Sequence, residues 1–142
     1  MRVIREPVIT AFETALLDAL LAGSLEILVG LREQARHAQF VSRELSGCGF
    51  FLNFAVPPSI PRVEPRNFEI SDVYFDLRGT EHGGGSILFV RDGAISMLEA
   101  YSHAGDWPDE PEEFVLHYID GAERNLGNVL AEIFSRRGTP DV

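Results

Sequence analysis

Apolar and polar positions change period along this chain. Over residues 7–22, Ile9, Phe12, Leu16, Ala19 and Leu20 fall on one helical face and Thr10, Glu13, Thr14 and Asp18 on the other, with Pro7 in the first turn. Gly23 suits the position after a helix and Ser24 the N-cap of a second one. That second helix runs to about Ala38, with Leu28, Leu31, Ala35 and Ala38 inward and Arg32, Glu33, Arg36 and His37 outward. The pattern predicts an α-hairpin over 1–38. From Gln39 to about Ile119 the period is that of strands.

Two turns set the register of those strands. Gly47-Cys48, between Phe40–Ser46 and Gly49–Val56, fits a type II′ turn with glycine first, which pairs Leu45 with Phe50 and Arg43 with Leu52. Asp92-Gly93, between Ser86–Arg91 and Ala94–His103, fits a type I′ turn, where both central residues need φ > 0. Stepping outward from Arg91 opposite Ala94 places Ser86 opposite Glu99, Gly84 opposite Tyr101 and His82 opposite His103.

Pro57, Pro58, Pro61 and Pro65 make residues 57–67 a long connection, since proline cannot donate to a ladder. Phe68–Arg78 reads as a third strand and Glu113–Ile119 as the last. After Asp120-Gly121, the spacing of Leu126, Val129, Leu130, Ile133 and Phe134 predicts a short amphipathic helix. Such a helix is marginal alone, so its stripe docks within the chain or on a second copy, a homodimer through residues 125–137. The expected architecture is a single α+β domain over 1–142: an N-terminal α-hairpin (1–38) packed on one antiparallel sheet of about five to six strands (39–119), then a short C-terminal helix and tail (120–142).

A chain of 142 residues buries roughly 70% of its unfolded surface without staples, so no metal or disulfide is needed for folding. Charge is unevenly placed. Residues 1–71 carry eight acids and seven arginines, net −1, whereas residues 72–142 carry fourteen acids and five arginines, net −9. Such a field repels polyphosphates, which disfavours nucleic acid and makes a basic protein the natural partner. No apolar run approaches the ~20 residues of a membrane span. No signal-peptide pattern opens the chain, and the single Cys48 suits a reducing compartment, so the expected location is the cytoplasm. All twelve basic residues are arginine, which excludes Schiff-base lysine chemistry and a Walker-type phosphate lysine.

The hairpin register gathers His82, His103, Tyr101 and Glu99 on one face, the polar cluster with chemistry in it. Opposed histidines suit zinc, but Glu99 lies four residues from His103, roughly 13 Å along a strand, too far to share a ligand shell. No metal site and no cofactor is therefore expected. The glycine run 83–85 precedes a strand rather than a helix, so it reads as close backbone approach or a bulge, not a phosphate cradle. Glu99 on an apolar face calls for a charged partner or protonation, and Arg43 on another apolar face has the matching need, so an Arg43–Glu99 tie is one solution. Asp106, Asp109, Glu110, Glu112 and Glu113 surround Trp107 in a proline-containing acidic loop, where the indole serves either as a binding anchor or as a plug against the core.

At Gly47-Cys-Gly-Phe-Phe-Leu-Asn-Phe54, and from His82 through the Asp92-Gly93 hairpin to Leu98-Glu-Ala-Tyr101 and Trp107-Pro108, the chain resembles a group of small uncharacterised bacterial proteins. These share a Gly-x-Gly-Phe-Phe turn and an Asp-Gly hairpin ending in Leu-Glu-x-Tyr. The resemblance covers about residues 10–118 and implies a bacterial α+β domain, without implying a reaction.

The expected function is that of a small acidic cytoplasmic protein-binding or regulatory protein without catalysis, neutralising a basic partner as toxin-immunity proteins do. The alternative is a small-ligand-binding protein or hydrolase-like enzyme with a pocket near Glu99, Tyr101 and His82.

Overall fold

The structure, a computed structural model, describes residues 2–109 and 111–135. Glu110 of the acidic loop and residues 136 and 137 of the proposed dimer segment lie outside the described residues.

The first helix, α1 (Ala11–Leu20), begins later than its apolar pattern suggests because Thr10 and Glu13 form a capping box. The Glu13 N–H donates to Thr10 Oγ1 at 3.1 Å, and the Thr10 N–H donates to Glu13 Oε1 at 2.9 Å. This turns Glu13 inward, against its assignment to the polar face, and its side chain is only 2% exposed. The second helix, α2 (Glu26–His37), starts after Leu25 rather than after a Ser24 cap. Each packs on the sheet more than on the other, α1 over the strands at one side and α2 over the centre, so the expected helical hairpin is corrected to two helices on a common sheet face.

Among the described residues the sheet has eight strands, not five or six, and all its pairings are antiparallel. They are β1 (Arg2–Arg5), β2 (Gln39–Leu45), β3 (Gly49–Ala55), β4 (Phe68–Ile70), β5 (Val73–Leu77), β6 (Gly84–Arg91), β7 (Ala94–Ser102) and β8 (Phe114–Tyr118). The order is β1-β2-β3-β7-β6-β5-β8, with β4 also on the β6 edge. Two features raise the number. β1 is a four-residue edge strand, Arg-Val-Ile-Arg, too short and polar to show a period. The expected strand 68–78 breaks at Ser71-Asp72, where Ser71 turns to Glu132 and Asp72 turns to Arg124.

Both turns form as read. Leu45 pairs with Phe50 and Arg43 with Leu52. Asp92 and Gly93 adopt φ of 54° and 78°, and Arg91 pairs with Ala94. Beyond Val90–Ile95 the register shifts by one residue at Ser96, so that Ile87 lies opposite Glu99 and Gly85 opposite Tyr101. Because strand side chains alternate, this bulge keeps Ile95, Leu98 and Ala100 buried under the helices and sends Met97, Glu99 and Tyr101 to the other face.

The core lies between helices and sheet, built from Phe12, Leu16 and Leu20 of α1, Leu28 and Leu31 of α2, and the inward residues of β3 to β7. The last helix, α3 (Leu126–Ile133), docks on its own chain through buried Val129 and Ile133, while Leu130 and Phe134 stay exposed. No helix among the described residues is long and apolar enough to cross a membrane.

Candidate functional site

The helix-free face of the sheet collects the side chains that alternation points away from the core. Register places Phe51, Glu99 and Ile87 side by side across β3, β7 and β6, and Asn53, Met97 and Phe89 beside them. All six are half-buried. Glu99 therefore sits among apolar neighbours, and this partial burial raises its carboxyl pKa.

Tyr101 lies between glycines, opposite Gly49 on β3 and Gly85 on β6. A β-carbon at Gly85 would lie 2.5 Å from the Tyr101 hydroxyl and 3.2 Å from the Tyr74 ring, so glycine there lets the phenol cross the strand. Burial, then the neighbouring Tyr74 and Glu99, raise the Tyr101 pKa and keep its hydroxyl protonated. Around it the rings form a chain: Tyr101 to His103 at 5.9 Å, His103 to Tyr74 at 6.0 Å, and Tyr74 stacked on His117 at 6.2 Å. Asp76 Oδ2 stands 4.0 Å from His117 Nε2.

Three of the expected residues, Glu99, Tyr101 and His103, thus stand at or beside this face. His82 does not join them as His103's opposite. It lies before β6 in an exposed loop, 4.0 Å from Glu81, and the His103 N–H instead donates to the Gly83 carbonyl. Tyr74 and His117 complete the cluster, and the alternation of Val73–Leu77 and Phe114–Tyr118 carries the signal that places them there. Among the described residues, neither the Glu99 carboxylate nor the Tyr101 hydroxyl hydrogen-bonds to another protein group, so no proton relay is assembled. Nor do three His, Cys, Asp or Glu side chains converge there to hold a metal ion.

Trp107 belongs to the opposite face. Its ring packs 5.9, 5.7 and 5.8 Å from those of Phe12, Phe50 and Phe75, and the backbone N–H of Trp107 donates to the Gly47 carbonyl at 2.8 Å. It plugs the end of the core. Asp106, Asp109, Glu112 and Glu113 around it are exposed, and Glu113 pairs with Arg78 at 2.8 Å.

The expected Arg43–Glu99 tie does not form, because the two occupy opposite sheet faces. Arg43 pairs with Glu13, through Nε to Oε2 at 2.6 Å and Nη2 to Oε1 at 2.5 Å. This pair lines a cleft of about 480 Å³ bounded by β1, the Gly47 turn, Trp107 and Pro111.

No protein-family model, curated protein or solved structure matches this chain.

Proposed function

We propose that this protein is a non-catalytic, regulatory protein-binding module of the cytoplasm, which seats a basic partner on the helix-free sheet face in the manner of an immunity protein. The observation that carries this reading is the row of half-exposed Phe51, Ile87, Phe89, Met97 and Tyr101 around Glu99. An apolar, aromatic centre supplies contact area and a central carboxylate supplies a specific polar contact. Glu44, Asp76 and Glu69, the last paired with Arg91 at 2.8 Å, share that face, while Glu81, Glu112 and Glu113 stand exposed in the loops beside Asp76. Such a rim steers a cationic surface toward the face and discourages anionic ones. Tyr74 and Tyr101 offer ring faces on which a partner's arginine or lysine gains cation–π attraction.

The test is to isolate a partner by pull-down and measure its affinity against ionic strength for the native chain and for Phe89→Glu, Tyr101→Ala and the loop variant Glu81→Gln/Glu112→Gln/Glu113→Gln. The face variants are expected to weaken binding at least about tenfold. The loop variant is expected to slow association and flatten the salt dependence. Binding that ignores salt and all three variants would sink the reading.

A further inference from the structure

On the helix side of the sheet, the cleft beside Trp107 has the size and lining of a small-molecule site. Its volume of about 480 Å³ falls in the usual range for ligand pockets. Ile4, Leu45, Phe50 and Trp107 supply apolar walls, and Thr10, Glu13, Arg43 and Arg2 bring polar groups to one side. The sequence builds this by alternation. Arg2 and Ile4 of β1 pair with Leu45 and Arg43 of β2, so all four share the inward face at a sheet corner bounded by the start of α1.

Arg43 is fixed before any ligand arrives. Glu13 holds its Nε and Nη2, the Val8 carbonyl accepts a second bond from Nη2 at 2.9 Å, and the capping box holds Glu13 in turn. The Arg43 side chain is 12% exposed, and its Nη1 has no hydrogen-bond partner among the described residues. A guanidinium locked on two nitrogens with a third left over is a preorganised donor for an acceptor in the cleft. Because Glu13 balances the charge of Arg43, the cation in excess at that end is Arg2, on the exposed edge strand. Arg2 makes no ion pair among the described residues, and with Asp109 also in the lining the cleft is formally neutral, which suits a ligand of at most one negative charge. The formal net charge of −10 works against phosphates and other polyanions, and Asp109 stands at the same cleft.

We infer that this cleft binds a small monocarboxylic acid with an apolar or aryl body, its carboxylate on Arg43 Nη1 and Arg2 and its body against Phe50 and Trp107. This site is independent of the protein-binding face, which lies on the other side of the sheet.

Trp107 is the chain's single tryptophan, so its emission reports on the cleft without labelling. The experiment titrates the protein with 3-phenylpropionate and, separately, with 3-phenylpropanamide, which keeps the body and removes the charge. A saturable shift of Trp107 emission is expected, with the acid bound at least about tenfold more tightly than the amide. Arg2→Glu, on an exposed strand and checked for native circular dichroism, is expected to weaken the acid at least about fivefold and to leave the amide unchanged. Arg43→Lys, which keeps the charge and removes the fork, provides a second variant with the same expected direction. The inference is overturned if emission changes are linear and unsaturable, if acid and amide bind equally, or if Arg2→Glu leaves acid binding intact.

Discussion

Arg124 grips both oxygens of Asp72, Nε to Oδ2 and Nη2 to Oδ1 at 2.9 Å each, and the two side chains are only 6% and 4% exposed. The same guanidinium donates to the carbonyls of Leu20 and Ala22, at 2.8 and 2.7 Å, while the Tyr118 hydroxyl donates to that of Ala19 at 2.8 Å. Helix α1 has no basic residue in its own last turn. Its orphan carbonyls and negative dipole end are satisfied instead by cations from elsewhere, Arg124 about a hundred residues further along the chain and Arg32 of α2, whose Nη1 donates to the Leu21 and Gly23 carbonyls. Asp72 stands at the break between β4 and β5, where its side chain meets Arg124 while its carbonyl accepts from the Ile119 N–H at 3.0 Å.

Removing one member of this pair leaves a buried charge without its counterpart. Arg124→Met is expected to cost about 3–5 kcal/mol of unfolding free energy, and the double change with Asp72→Asn appreciably less than the sum of the single ones. Urea denaturation checks this. A strictly additive double mutant would contradict it.

Gln34 ties α2 to the central hairpin. Its Nε2 donates to the carbonyls of Pro61 and Gly93 at 3.0 and 2.8 Å, and its Oε1 accepts from the Ile95 N–H at 2.9 Å. Gln34→Leu keeps most of the volume and removes the side-chain partners of the Pro61 carbonyl and the Ile95 N–H, while the Gly93 carbonyl keeps its bond from the Val63 N–H at 2.9 Å; the expected cost is about 2–4 kcal/mol. Hydrogen exchange at Ile95 should accelerate well beyond that at Leu98, and unchanged protection at Ile95 would argue against the role.

What the sequence disclosed and what it hid divide along one physical line. Gly47-Cys48 and Asp92-Gly93 need special backbone angles, so they were legible and fixed the nearby pairs Leu45–Phe50 and Arg91–Ala94 correctly. The bulge at Ser96 has no compositional mark, yet it shifts every later pair by one and carries Glu99 and Tyr101 to the open face. Arg43's need for a carboxylate was readable as chemistry, but the choice of Glu13 over Glu99 depended on that slip. The Thr10-x-x-Glu13 box was present as a local signal for the true helix start. The Asp72–Arg124 pair has no local signal, because its residues meet only once the sheet and α1 are assembled.

Two turn glycines separate backbone strain from collision. Gly93 has φ 78° and a β-carbon there would stand 2.8 Å from the Val63 carbonyl oxygen, whereas Gly105 has φ 83° with open space around it. Gly105→Ala should lose about 1–2 kcal/mol, the cost of a left-handed angle alone, and Gly93→Ala distinctly more. Equal losses in thermal or chemical denaturation would show that the Val63 segment yields freely.

Glu99 makes the pH dependence of stability informative about the open face. Its pKa is raised in the folded chain because partial burial disfavours the charged form. A carboxyl with a raised folded pKa favours the native state fully below its unfolded pKa, and that contribution is lost as pH rises through the folded value. At neutral pH the ionised Glu99 therefore burdens the fold, and Glu99→Gln, which cannot ionise, should be the more stable chain. The advantage should shrink as pH falls through the raised pKa and vanish below the ordinary carboxyl range. Urea midpoints of both chains across that range test it, and a gap that stays constant or widens in acid would contradict the assignment. If a cationic partner covers this face, its binding should reverse the neutral-pH order, because a nearby positive charge favours the ionised glutamate that Gln cannot supply.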